Sequence, residues 1–308
     1  MCQLSSYAIF MKKFGYIFIL ILLSSCSAIL DKKKIDEDEE LQEKIDSIDA
    51  PTIDSSLYAS AMTAIEVGKY HRADQLFQQL IAKAPDNPVY QFEYARLLRK
   101  VGNCQPALEP LETLLEMETE DPKPIEISEE KALCLLSLGK FKPAGKIFTD
   151  IITKDSTRWK SINGAGLIFA IKKKFNEANQ YFDLAAEVSG YNPAVLNNQG
   201  LTKAIMGNYN DALKVLREAS MQAAQKSDQK RRKDLNLAMV YGISGDSEKA
   251  RIAAKPHLTE PQLYNNLGVY AELAKNPDLA KTYLNKALSG AKIYYNRAWE
   301  NLERVEKQ

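Results

Sequence analysis

Met206-Gly207-Asn208-Tyr209, followed by Ala212 and Leu216, is the stretch whose recurrence decides the fold. The same order of residue types stands at Val67-Gly68-Lys69-Tyr70 with Ala73 and Phe77, and at Val101-Gly102-Asn103-Cys104 with Ala107 and Leu111. It returns at Leu138-Gly139-Lys140-Phe141 with Ala144 and Phe148, and at Lys173-Lys174-Phe175 with Ala178 and Phe182. Ser244-Gly245-Asp246-Ser247 with Ala250, and Lys275-Asn276-Pro277 with Ala280 and Leu284, complete seven copies. The turn residue falls at 68, 102, 139, 173, 207, 245 and 275, at intervals of 34, 37, 34, 34, 38 and 30 residues. Periods of this size mark arrays of stacked supersecondary units.

Each residue type has a physical reason. Glycine adopts the left-handed backbone that ends the first helix of a pair. The aromatic residue two positions on covers the turn. The alanine five positions on lies where the two helices touch, so a small side chain lets them approach. Ala61, Ala95, Ala132, Gly166, Gly200, Ala238 and Gly268 hold the equivalent small position of the first helix. Asn-Pro and Asp-Pro steps at 87–88, 121–122 and 192–193 break the chain between units, because the residue before proline disfavours helix. The tail, 290–308, predicts a further helix with Tyr294, Ala298, Leu302 and Val305 on one face. Terminal repeats need such a polar-backed cap. Tyr294, Tyr295 and Trp299 read as cap residues, with an aromatic partner patch as the alternative.

The repeat resembles the tetratricopeptide repeat. The resemblance implies an all-α, right-handed superhelix of about seven helix pairs over 54–289, closed by the capping helix. It also implies that function lies in a groove lined by the first helix of each pair. Counting the units from 54, 88, 125, 159, 193, 231 and 261 places Tyr58, Met62, Phe92, Arg96, Arg99 and Lys100 at one end of that groove. Asn163, Leu167, Asn197 and Leu201 fall in the middle, and Leu235, Met239, Asn265 and Val269 at the far end. Asn163, Asn197 and Asn265 share the fifth position of their units. An amide both donates and accepts, so such a row could hold a peptide backbone or simply solvate a helix surface. The Lys/Asn set that grips a chaperone C-terminal carboxylate in clamp-type members is not reproduced.

Upstream, Leu23-Ser24-Ser25-Cys26 resembles a bacterial lipobox. The apolar run Phe14 to Leu23 is about ten residues, short of the roughly 20 that span a membrane. Lys12 and Lys13 supply the positive region of an export signal, and Met11 reads as the working start. Residues 1–25 are thus expected to be a signal peptide, with Cys26 the lipid attachment site. Two or more acyl chains hold a protein stably on a membrane where one does not. Ser27, in place of Asp, favours outer-membrane sorting with the chain facing the periplasm. The segment 26–53 carries Asp31-Lys32-Lys33-Lys34 and Asp36-Glu37-Asp38-Glu39-Glu40, and reads as a flexible tether, since dense charge without apolar residues cannot offset the entropy of ordering.

Charge and chemistry narrow the function. Without Lys12 and Lys13 the 41 Lys+Arg become 39 against 40 Asp+Glu, which argues against nucleic acid as the main partner. His71 and His257 are the two histidines and neither has a Cys or His at ligand spacing. No glycine-rich phosphate loop, nucleophile elbow or His-Glu metal motif is present, so neither catalysis nor a cofactor is expected. Glu129-Glu130 reads as a solvated helix face. Lys226, Lys230, Arg231, Arg232 and Lys233 read as a solvated loop and helix start, or else as a docking patch for an acidic partner. Cys104 and Cys134 could pair in an oxidising periplasm, but their apolar helical settings suit buried thiols.

A closer resemblance rests on Asn236-Leu237-Ala238-Met239-Val240-Tyr241-Gly242, Gly245, Glu248-Lys249-Ala250, Ala253, Leu258 and Asn265-Asn266-Leu267. This stretch, with the shortened sixth unit, is similar to the penultimate repeats of the TadD family. Those are tetratricopeptide lipoproteins of the tight-adherence (Flp) pilus system. The resemblance implies a pilotin or adaptor that binds a secretin or another assembly component through the groove. The extra segment Gln225 to Lys233 departs from the family pattern. A lipoprotein adaptor for cell-wall hydrolases or division proteins is the alternative.

Overall fold

The computed structural model describes residues 50–117, 119–222, 228–292 and 295–307. The signal segment, Cys26, the tether through residue 49, Lys226 and Tyr294 lie outside the described residues. Within them the chain is all-helical, with fifteen α-helices. The helix pairs follow in chain order: α1 (Ala50–Glu66) with α2 (Tyr70–Lys83), α3 (Pro88–Lys100) with α4 (Leu108–Glu116), and α5 (Pro124–Ser137) with α6 (Phe141–Lys154). Next come α7 (Trp159–Ile171), α8 (Phe175–Val188), the pair α9 (Pro193–Ile205) and α10 (Tyr209–Met221), and the pair α11 (Asp228–Ile243) and α12 (Ser247–Ala254). The last pair is α13 (Glu260–Leu273) and α14 (Pro277–Ser289), followed by α15 (Asn296–Glu306). The chain divides into two compact units after Ile168, within α7.

The expected punctuation is present at every turn. Gly68, Gly102, Gly139, Gly207 and Gly245 have φ between 74° and 96°, and Lys173 and Lys275 adopt 60°. At each turn the next N–H reaches back five residues, sealing the end of the first helix. Lys69 donates to Ala64 O at 2.8 Å, and Asn103, Lys140, Lys174, Asn208, Asp246 and Asn276 repeat that bond at 2.8–2.9 Å. The following helices begin by the same logic. Asn87, Asn192 and Asn276 each precede a proline at the first helical position and cap with the side-chain oxygen, accepting from Val89, Ala194 and Leu279 at 3.0, 2.9 and 3.2 Å.

The contact alanines Ala73, Ala107, Ala144, Ala178, Ala212, Ala250 and Ala280 are all fully buried. So is the residue four positions beyond each, from Phe77 and Leu111 through Phe148, Phe182, Leu216 and Ala254 to Leu284. Burying a phenylalanine contributes about 1.5–3 kcal/mol, so these positions anchor the stack.

In the N-terminal unit Leu57, Ala61, Leu76, Leu80 and Leu97 close around Phe77. Tyr58 meets the Phe77 ring edge-on at 6.3 Å. Gly164 admits the Phe148 ring, for a Cβ there would stand 2.4 Å from it. In the C-terminal unit the close approaches repeat. A Cβ on Gly200 would lie 2.6 Å from Leu216 Cγ, and one on Gly268 would lie 2.6 Å from Leu284 Cγ. α15 packs Leu302 and Val305 on Ala271, Ala280 and Leu284. Trp299 stays 51% exposed, so it stands off the face that caps the stack.

Candidate functional site

The first helices of the N-terminal unit wall a cavity of about 520 Å³. α1 contributes Tyr58, α3 Phe92 and Arg96, α5 Glu126, Glu129 and Glu130, and the start of α7 Trp159 and Lys160. The connections between pairs add Asp121 and Pro122, then Asp155, Thr157 and Arg158. Tyr58, Phe92 and Arg96, named from sequence register alone, therefore share one cavity. Asn163, half-buried on α7, is outside its lining.

Glu129 and Glu130 correct the expectation of a solvated face: they are 4% and 3% exposed. Each is held by a cation from a neighbouring repeat. Arg99 Nε donates to Glu130 Oε2 at 2.5 Å, while Arg96 Nε stands 3.8 Å and Lys160 Nζ 4.0 Å from Oε1. Arg158 reaches Glu129 at 3.3 Å, and Ser161 Oγ donates to the same carboxylate at 2.8 Å. Burial works against the Arg99 charge, and Glu130 outweighs it, so the guanidinium is held above its ordinary range. At Lys100 the balance is reversed: burial, then Arg96 and Arg99, lower its pKa against a smaller opposing pull from Glu66. At the cavity wall Arg96 lies 5.7 Å above the Phe92 ring and pairs with Glu93 at 2.6 Å.

The amides of the C-terminal unit are engaged within the protein. Asn236 Nδ2 donates to Asn197 Oδ1 at 2.9 Å, joining α11 to α9. Asn301 Nδ2 donates to Asn265 Oδ1 at 2.8 Å, joining α15 to α13, and Asn265 is 3% exposed. Of the other groove positions, Leu201 and Met239 are 1% exposed.

The basic stretch splits: Arg231 and Arg232 are exposed, as expected of a solvated helix start, whereas Lys230 and Lys233 are not. Lys230 donates to Asp234 at 2.7 Å and to Ser220 at 2.6 Å, and Lys233 is 5% exposed. His257 Nε2 lies 2.8 Å from the other Asp234 oxygen. Burial opposes the Asp234 charge, but bonds from Lys230, Ser220 and His257 prevail and hold its carboxyl below the usual range. Ser220 bonds the aspartate and not the histidine, which is the geometry of a staple between α10, α11 and the turn after α12. Cys104 and Cys134 are free, buried thiols in mutual hydrogen-bond contact. Among the described residues no group of three or more His, Cys, Asp or Glu is placed to hold a metal ion. Nor is any described helix long and apolar enough to cross a membrane.

Comparison with known proteins settles the fold. Two tetratricopeptide-repeat models match, one residues 55–87 and the other residues 261–289, one segment in each unit. The fold is that of tetratricopeptide-repeat proteins. A tetratricopeptide repeat protein from Parabacteroides merdae is 18% identical, with a TM-score of 0.51 over 82% of this chain and 98% of its own. A thermophilic tetratricopeptide protein from Thermus thermophilus is 19% identical, with a TM-score of 0.52 over 60% of this chain and 98% of its own. PilF from Pseudomonas aeruginosa is 17% identical, with a TM-score of 0.51 over 71% of this chain and 96% of its own. No curated protein matches the sequence.

Register reasoning missed Asp121, Asp155, Arg158 and Trp159, because they sit in or beside the connections between repeats. The signal that could have found the buried carboxylates is spacing. Arg99 and Glu130 are 31 residues apart, and Glu129 and Arg158 are 29 apart, each close to one repeat.

Proposed function

We propose that the protein is a lipid-anchored adaptor whose N-terminal unit holds a segment of a partner protein. The observation that carries this is the cavity on the first helices, where Tyr58, Phe92 and Trp159 stand among charged groups. Aromatic rings with polar edges are what recognition sites concentrate. The lipobox ending at Cys26 supports attachment at the outer membrane facing the periplasm, with the following charged segment giving the folded part reach. The TadD-like stretch 236–267 supports service in assembly of a Flp-type pilus machine, with a secretin or another assembly component as partner. PilF shares the fold.

Two variants in the native host test the reading. Cys26→Ser should release the protein from the membrane fraction. Tyr58→Ala with Trp159→Ala should keep it there, yet abolish co-purification with the secretin complex and lower surface pili. Unchanged co-purification from the double variant would overturn the assignment of the site. Membrane attachment of Cys26→Ser would overturn the anchor.

A further inference from the structure

We infer that the segment held in the N-terminal cavity is basic, presenting a lysine or arginine beside an apolar side chain; this rests on the reading of that cavity as the partner site. Its walls carry six carboxylates, Glu93, Asp121, Glu126, Glu129, Glu130 and Asp155, against the cations Arg96, Arg158 and Lys160. Most of the positive charge is already committed. Arg96 belongs to Glu93 at 2.6 Å, and Arg158 sits 3.3 Å from Glu129 and 3.7 Å from Glu126. Lys160 is 4.0 Å from Glu130, whose main partner is Arg99.

The surplus is therefore negative, and it lies at the opening. Glu126 is 39% exposed and shares Arg158 with the buried Glu129. Asp155 accepts from the Thr157 hydroxyl and N–H at 2.6 and 2.9 Å, and those bonds hold it ionised. A concave wall of one sign focuses its field and raises the local concentration of the opposite charge. An acidic segment would meet like charge there, which costs several-fold in association.

The aromatic rings select the form of the cation. A guanidinium or ammonium over a ring face is attracted by its quadrupole. The cavity shows the arrangement with its own residues: Arg96 rides 5.7 Å above Phe92 while Glu93 takes its charge. Tyr58 and Trp159 beside Asp121, Glu126 and Asp155 offer the same pair of features to an incoming side chain. Repeat scaffolds present extended surfaces suited to chain segments, so the cation is expected on a peptide.

The test selects displayed random peptides on the full mature chain and measures the recovered sequences as synthetic peptides by fluorescence anisotropy. Lys and Arg should outnumber Asp and Glu among peptides whose binding is lost with Tyr58→Ala and Trp159→Ala. Affinity should fall about tenfold when Asp121→Asn, Glu126→Gln and Asp155→Asn are combined. It should also weaken between about 50 and 200 mM salt. The triple variant alters rim groups, and an unchanged thermal midpoint verifies that it folds. Neutral or acidic peptides lost with the two aromatic changes would overturn the basic-segment inference and leave the site standing. Peptides indifferent to both aromatic changes would overturn the site and the inference together.

Discussion

The two units join their repeats with different chemistry. In the N-terminal unit, neighbouring first helices are tied by charge: Arg99 to Glu130, and Arg158 to Glu129. In the C-terminal unit the ties between first helices include amides, Asn236 to Asn197 and Asn301 to Asn265, with charge added by Arg304 on Glu272 and by the Asp234 staple. Glycines bring helices to near contact in both units, at Gly164 in one and at Gly200, Gly242 and Gly268 in the other. Ion pairs need room and water at their edges, and a cavity opens beside them. One repeat template thus carries a charged cavity in one unit and amide ties between first helices in the other.

The largest effect that would test this contrast is at Glu130. Its removal leaves Arg99 facing a buried, unmatched site, which costs about 3–5 kcal/mol for a fully buried pair. The Arg99 side chain keeps 28% exposure, so water offsets part of the loss and Glu130→Ala should cost about 2–3 kcal/mol in urea unfolding. Replacing both residues by leucine should restore most of it. A cost within about 0.5 kcal/mol, as expected of an exposed site, would mean the ion pair is not what joins these repeats.

Alanine at glycine should change sign with the room that each site leaves. Gly268→Ala drives a Cβ to 2.6 Å from Leu284 Cγ and 3.3 Å from the Ala280 carbonyl, and should destabilise by about 1–3 kcal/mol. Gly145→Ala in α6 meets Ile168 Cδ1 at an ordinary 3.5 Å, and should stabilise by about 0.5–1 kcal/mol through helix propensity. Thermal midpoints moving in the same direction would blur the contrast. A smaller gain is expected at Lys275, whose φ of 60° strains a side chain: Lys275→Gly should add up to about 1 kcal/mol.

The smallest effect is the part of the pH dependence that Asp234 supplies in the C-terminal unit. Asp234 titrates below its unfolded value of 3.8, so its contribution is complete above that pH and lost as pH falls through the folded value. Asp234→Asn should lower stability at neutral pH and flatten the acid limb of the unfolding midpoint. An acid limb identical to that of the parent chain would assign it to other carboxylates.

How far these features were legible follows from their range. The turns were readable because their cause is local: seven positions need a left-handed backbone, and even Lys173 and Lys275 were placed by the alanine five residues on. Tyr58, Phe92 and Arg96 were readable because register within a helix is local too. Glu129 and Glu130 were misread because adjacent carboxylates look solvated until their partners, one repeat away, are brought beside them. Lys230 was misread for another reason, since Ser220 and Asp234, ten and four residues away, draw it into a partly buried staple. Asn197 and Asn265 offered free amides in sequence, and the structure gives each a partner from the next first helix or cap.

We propose that the N-terminal cavity, and not the C-terminal unit, meets the partner. A photo-crosslinking residue placed at Trp159, and separately at the exposed Leu184 and Met221, compares the two directly in cells. The account predicts a discrete adduct from position 159 that is absent from positions 184 and 221. Adducts from 184 or 221 with none from 159 would contradict it.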